Sequence, residues 1–233
     1  MPTFTYKERR GELETYFDRT AVEAWKRLTS DAPVGRIRAT VRAGRDEMRA
    51  NLLSWLPQDL TGRRILDAGC GTGALAIDAA LRGADVVAID ISPKLVGLAR
   101  ERTPEHLGRG SIDFRVGDML DPALGRFDHV VAMDSLIHYN ARDIVAVLSA
   151  FTSRSERSVM FTFAPRTASL TVMHAVGRAF PRSDRAPSIL PVSLSTLRSL
   201  IAADSSFEGW QTGRSQKIAK GFYISQALEL TVR

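Results

Sequence analysis

Ile65-Leu66-Asp67-Ala68-Gly69-Cys70-Gly71-Thr72-Gly73 reads as a short buried strand, expected over Arg64–Ala68, that breaks into a glycine turn. Three glycines at alternate positions let the backbone take positive φ and approach a ligand closely. Ala74–Leu81 after it is expected to be a helix, so the unit is strand, turn, helix. Outward from this unit the rhythm repeats. Asp85–Asp90 is expected as a second strand and Pro93–Arg102 as its helix; 111–117 is a third strand, 127–133 a fourth with a helix at 141–151, and 158–163 a fifth. Such alternation predicts an α/β fold whose sheet is mostly parallel and covered on both faces. A helix at 195–203 precedes two β-rich stretches, 209–218 and 221–232, joined at Lys220-Gly221. They read as a C-terminal antiparallel hairpin, which completes a seven-stranded sheet.

Open parallel sheets bind ligands beyond the carboxyl ends of their strands, where this turn lies. No Gly-Lys-Ser/Thr follows the glycines, so the turn is not a phosphate loop for nucleoside triphosphates. Asp67 ends the strand itself, and a carboxylate there suits the cationic amino-acid end of a methionine-derived cofactor better than a pyrophosphate. Asp90 closes the next strand roughly 20 residues on, where an acid hydrogen-bonds a ribose diol. Asp118, in Gly117-Asp118-Met119, follows the third strand and is placed to meet an adenine amino group. Three acids at three successive strand ends are more specific than the glycines, and they favour S-adenosylmethionine over NAD. The expected cofactor site is Asp67, Gly69, Cys70, Gly71, Gly73, Asp90, Ile91, Asp118, Met119, Met133 and Ser135.

The runs D-A-G-C-G-T-G, V-V-A-I-D and V-G-D-M resemble the class I S-adenosylmethionine methyltransferases. Tyr16-Phe17, Val41-Arg42-Ala43-Gly44-Arg45, 66–76 and Asp134-Ser135-Leu136-Ile137-His138-Tyr139 are further similar to the magnesium protoporphyrin IX O-methyltransferases of chlorophyll and bacteriochlorophyll synthesis, over nearly the whole chain. The resemblance implies a Rossmann-like class I methyltransferase with an N-terminal helical arm and an inserted lid. It implies transfer of a methyl group from S-adenosylmethionine to one propionate of Mg-protoporphyrin IX, leaving S-adenosylhomocysteine. It also implies contact with the porphyrin-carrying subunit of magnesium chelatase and with the photosynthetic membrane surface. A propionate has a pKa near that of Glu, about 4.3, so it is an anion near pH 7. Such a nucleophile needs alignment and exclusion of water rather than a strong base. No protein-bound metal is expected: the four histidines are scattered, and the Mg²⁺ arrives inside the substrate.

His138, just past the fourth strand, is expected to contact the propionate or the tetrapyrrole's magnesium, or to close over the cofactor; a structural histidine at a helix start is the bland reading. Tyr16 is the second catalytic candidate, with its hydroxyl near the sulfonium or acceptor, unless it only packs. Residues 6–31 read as one or two helices with Tyr16, Phe17 and Trp25 buried. Residues 34–56 read as a long amphipathic helix whose buried face carries Val34, Ile37, Val41, Met48, Leu52 and Trp55 or Leu56. Along another face Arg38, Arg42, Arg45 and Arg49 form a basic stripe. That stripe, or Arg166, Arg178, Arg182 and Arg185 in the insertion, can pair with propionates through guanidinium forks. Leu170, Val172, Met173, Val176 and Phe180 suit a flat porphyrin face, or a core. The expected division is 1–60 as arm or cap and 61–233 as the cofactor-binding domain, with a substrate-binding insertion at about 165–192.

The chain has 233 residues, one cysteine and a formal net charge of +6. The single cysteine excludes an intrachain disulfide and fits a reducing cytoplasm. The polar start, 1–10, is not expected to be a secretory signal, and no apolar run is long enough for a transmembrane span. Residues 1–64 carry 13 Lys/Arg against 9 Asp/Glu, 65–164 carry 10 against 13, and 165–233 carry 9 against 4. The basic excess therefore lies outside the central segment, which suits an anionic partner or is simply a solvated Arg-rich surface. Nucleic acid is the rival partner and RNA the rival substrate. The fourth strand, however, ends in Met133-Asp134-Ser135, without an Asn/Asp-Pro-Pro-Tyr box, and no RNA-binding module is recognisable. A quinone-like metabolite is a further rival substrate, and non-catalytic binding on the same scaffold a further rival role.

Overall fold

The computed structural model describes residues 3–19, 29, 35–166 and 188–233. Among these residues two helices come first, α1 (Phe4–Arg19) and α2 (Arg36–Ser54). The alternating segment follows as β1 (Arg64–Ala68), α3 (Ala74–Leu81), β2 (Asp85–Asp90), α4 (Pro93–Arg102), β3 (Ser111–Val116), β4 (Phe127–Ala132), α5 (Ala141–Thr152) and β5 (Ser155–Phe163). After the insertion come α6 (Leu194–Ala203), β6 (Trp210–Lys220) and β7 (Tyr223–Val232).

One seven-stranded sheet runs in the order β3-β2-β1-β4-β5-β7-β6. The first five pair in parallel, and β7 runs antiparallel to both β5 and β6. The chain steps outward from β1 to β3, then returns to place β4 on the other side of β1. That reversal opens a crevice above the carboxyl ends of β1 and β4. Side chains alternate across the sheet as a period of two requires. Ile65, Val86 and Val131 pack with Met48, Leu52, Leu75 and Ala79 on one face. Leu66, Val87 and Val130 pack with Ile144, Leu148 and Leu197 on the other. Helix starts are fixed by polar caps: Ser92 accepts from Leu95 N, and Asn140 accepts from Arg142 N and Asp143 N.

Several expectations shift. β5 begins at Ser155 rather than 158, because a bulge between Phe127 and His129 lets Phe127 pair with Ser155. The hairpin turn falls at Gly221-Phe222, one residue later than expected. Ile37, expected on the buried face of α2, is 56% exposed. The first turn of α2 overhangs the hairpin tip, where Thr40 meets Gly221, and burial begins only at Gly44. A Cβ at Gly44 would stand 2.5 Å from the Tyr223 ring, which explains a glycine in mid-helix. Tyr16 and Phe17 are half-buried; the buried side chains of α1 are Tyr6 and Leu13. Trp25, Val34 and the insertion residues 167–187 lie outside the described residues. No helix among the described residues is long and apolar enough to cross a membrane.

Candidate active site

The turn after β1 is built on left-handed glycines. Gly69, Gly71 and Gly73 have φ of 81°, 54° and 79°, a region in which other residues are strained. A Cβ on Gly69 would lie 2.5 Å from that of Ser135, and one on Gly73 2.9 Å from that of Ala99. The turn is tied to β2: Gly69 N and Cys70 N donate to Ile89 O at 2.8 and 3.0 Å, and Gly71 N donates to Asp90 Oδ2 at 2.9 Å. Asp90 Oδ1 accepts from Ser92 N at 2.9 Å. Each carboxylate oxygen has two lone pairs, so both keep capacity for a diol.

Asp67 is 1% exposed, and its Oδ2 has no hydrogen-bond partner. Burial, and then the charge of Asp90, push its carboxyl up to about 7 against an ordinary 3.8. A buried carboxylate with one oxygen unpartnered is costly, and a cation seated beside it removes that cost. The ammonium end of S-adenosylmethionine fits this requirement. Ser135 Oγ is a second buried atom without a partner, beside Gly69. Burial also raises the Cys70 thiol well above its usual range, so it is a neutral wall group.

These groups line one cavity of about 330 Å³, inside the roughly 300–1,000 Å³ range of small-molecule sites. Its walls include Asp67, Gly69, Cys70, Gly71, Asp90, Ile91, Met119, Met133, Ser135 and His138, all of them expected. From α1 come Tyr6, Arg10, Leu13 and Phe17, and from α2 Arg42, Arg45, Asp46 and Arg49. Gly73 and Asp118 are not among the lining residues. Gly73 is spent on helix packing. Asp118 is turned into the arm: Oδ1 accepts from Tyr6 Oη at 2.8 Å and Leu120 N at 2.9 Å, and Oδ2 from Arg10 Nη1 at 2.7 Å. Tyr6 stacks on Tyr139 with ring centres 5.1 Å apart. The carboxylate expected at adenine is thus a clasp for α1.

His138 is buried and in the wall. Its Nδ1 lies 3.3 Å from Ser188 O; a carbonyl only accepts, so Nδ1 carries the proton. Leu190 N donates to Ile137 O at 2.9 Å, and Pro165 bridges Val192. Both described ends of the insertion therefore meet beside this loop. Tyr16 is not among the lining residues; it meets the edge of Phe17, which in turn faces His138 at 6.3 Å. One residue is about 100° of helix, so the face that turns Phe17 inward turns Tyr16 away. Arg38 is exposed and outside the wall, Arg166 is exposed, and Met173, Arg178, Arg182 and Arg185 lie outside the described residues. Sequence reading missed Tyr6, Arg10, Leu13 and Asp134. The first three share with Phe17 a 4-3-4 spacing that marks one helix face.

Residues 132–232 match the family described as Magnesium-protoporphyrin IX methyltransferase C-terminus, and 65–154 match a Methyltransferase domain. The chain is 52% identical to the magnesium-protoporphyrin O-methyltransferase of Rhodobacter capsulatus over 230 residues, 98% of this chain and 99% of that one. It is similar to the crystal structure of magnesium protoporphyrin IX methyltransferase from Synechocystis PCC 6803 with bound S-adenosylhomocysteine: TM-score 0.83 and 30% identity over 96% of this chain and 99% of that one. Against the same protein with bound S-adenosylmethionine the TM-score is 0.80 and the identity 26%, over 97% of each chain.

Proposed function

The chain belongs to the magnesium-protoporphyrin O-methyltransferase family, and on that premise we propose that its cavity methylates a propionate carboxylate of Mg-protoporphyrin IX. It is an S-adenosylmethionine-dependent methyltransferase of (bacterio)chlorophyll synthesis, built on the class I methyltransferase fold. When bound, S-adenosylmethionine supplies an electrophilic methyl group on a cationic sulfur. The chain's own residues bind, orient and exclude water. Asp67 receives the ammonium and Asp90 the ribose diol. Ile91 and Met119 flank the adenine, and Gly69, Cys70, Gly71, Met133 and Ser135 shape the rest. Gly73 acts by holding the turn against α4, and Asp118 acts on the adenine end through the arm that it clasps.

The propionate arrives ionised, since its pKa is about 4.3; no residue has to remove a proton. Arg42 and Arg45 meet the carboxylates as charged forks, with Arg38 further out on the same helix. His138, held by Ser188 O, turns its other nitrogen to the propionate or the substrate's magnesium, or closes over the cofactor. Tyr16 braces Phe17, and Met173 meets the porphyrin face. In this reading 1–60 caps the domain 61–233 and the insertion at about 165–192 binds substrate. The basic flanks support a cytoplasmic protein that touches the porphyrin-carrying chelatase subunit and an anionic membrane surface; sedimentation with anionic vesicles at low and physiological salt tests the latter.

The observation that carries the reading is one cavity whose walls hold both a buried carboxylate with an unpartnered oxygen, Asp67, and the arginines of α2. Incubation with S-adenosylmethionine and Mg-protoporphyrin IX should add one methyl group in place of hydrogen to the porphyrin by mass spectrometry. No gain while cofactor binds would sink the porphyrin assignment and leave the methyltransferase.

A further inference from the structure

Asp134 is, among the described residues, the one non-glycine residue at positive φ, 55°. Side chains there are strained and are retained where surrounding contacts over-determine them. Its side chain is 7% exposed, and its carboxylate collects donors from three elements. Arg45 Nη1 reaches Oδ2 at 3.0 Å from α2. Tyr223 Oη at 3.1 Å and Ser225 Oγ at 3.3 Å come to Oδ1 from β7. Thr162 Oγ1 donates from β5 at 3.1 Å while accepting Asp134's own N–H at 2.7 Å. The same turn sets Ser135 against Gly69, so it locks the loop to the cofactor turn. Arg45 and Asp134 both line the cavity. Methyl transfer to an already ionised propionate leaves this hub without a task.

We propose that Asp134 is a positioning residue for the acceptor: its buried carboxylate holds the Arg45 guanidinium at a fixed place relative to the glycine turn, so that a porphyrin propionate meets an oriented fork. This rests on the reading of Arg45 as a propionate partner. A guanidinium has five N–H donors, so one bonded through Nη1 to Asp134 can still meet a second carboxylate. Without its anchor a long side chain regains rotamer freedom that binding must then remove. The surrounding hydroxyls explain why the anchor itself stays put.

The test is a Soret-band titration with Mg-protoporphyrin IX and with its dimethyl ester, which has the same macrocycle and no carboxylate charge. Wild type, Asp134→Asn, Arg45→Gln and the double variant are compared. Asparagine tolerates the left-handed backbone and keeps an acceptor for the hydroxyls, but loses the charge. Arg45→Gln should lower the preference for diacid over diester about tenfold, the scale of one charge-assisted hydrogen bond. Asp134→Asn should lower it by a similar factor, leaving ester and S-adenosylhomocysteine affinities within about twofold, and the double variant should fall no further than Arg45→Gln. An unchanged preference in Asp134→Asn, additive losses, or equal weakening of diacid and ester would overturn the proposal. An unchanged preference in Arg45→Gln would instead sink the Arg45 reading, and the proposal with it. Should Asp134→Asn not fold, Thr162→Val loosens the same carboxylate and should give a smaller fall of the same sign.

Discussion

Asp67 is where burial and chemistry oppose each other within one side chain. Its carboxyl titrates at about 7 in the fold, because burial and the charge of Asp90 outweigh the opposing Ala76 N–H. An acid with a raised pKa keeps, between about 4 and 7, a proton that the unfolded chain has released. Folding stability from this group therefore falls as pH rises through that window, and the full penalty stands above 7. A cationic ligand reverses the preference, since it binds the ionised form. S-adenosylhomocysteine should bind roughly tenfold more tightly at pH 7 than at pH 5.5, then level off. Calorimetry of Asp67→Asn should find weaker binding with a flat profile over that range. A slope that survives the substitution would assign the titration elsewhere. Asp67 and Asp90 were legible because a strand end fixes where an acid must sit. Asp134 was not, since it meets Arg45 89 residues upstream and Ser225 91 residues downstream. The clasp at Asp118 was hidden for the same reason: its donors Tyr6 and Arg10 lie 112 and 108 residues earlier.

At the scale of elements, the strand-helix alternation of 64–163 could be read directly because every strand but the edge strand β3 is largely buried and each helix buries one face. The arm was harder. α1 is polar overall, and its inward face is only Tyr6, Arg10, Leu13 and Phe17, so neighbouring aromatics such as Tyr16 attracted the weight. What fastens the face is polar chemistry along the first half of the helix. Thr5 Oγ1 donates to Asp143 Oδ1 at 2.8 Å, and Tyr6 and Arg10 donate to Asp118. Burial and the nearby Tyr139 and Asp118 drive the Tyr6 hydroxyl far above its usual range, so it stays a donor. Tyr6→Phe keeps the ring on Tyr139 and removes only that donor. It should cost about 1.5–3 kcal/mol in urea unfolding, the scale of a hydrogen bond to a charged group. Because α1 walls the cavity, S-adenosylhomocysteine affinity should drop roughly threefold or more in the same variant. Unchanged affinity beside lost stability would mean that the arm is scaffold only.

The whole molecule assembles its site from pieces far apart in the chain: two N-terminal helices, the β1 turn, the loop after β4, and β7 through Tyr223. The sheet order was not written in any local pattern. Right-handed crossovers leave few topologies for five parallel strands, and the reversal at β1 then dictates where the crevice opens. A cavity walled this way ties ligand binding to the global fold. A ligand at 100 times its Kd that binds only the folded chain adds about 2.7 kcal/mol. For a chain of this size that corresponds to a rise in Tm of roughly 5–10 °C. Scanning calorimetry with saturating S-adenosylhomocysteine should therefore move one transition as a unit. Tyr6→Phe should start lower and rise by less at the same ligand concentration, since its weaker affinity lowers the ratio of ligand to Kd. A separate early transition that ignores the ligand would mean that one wall, α1 or the hairpin, melts independently of the cofactor site. The clasp at Asp118 and the hub at Asp134 are the joints that make a single transition the physical expectation, because each binds a terminal element to a loop that walls the cavity.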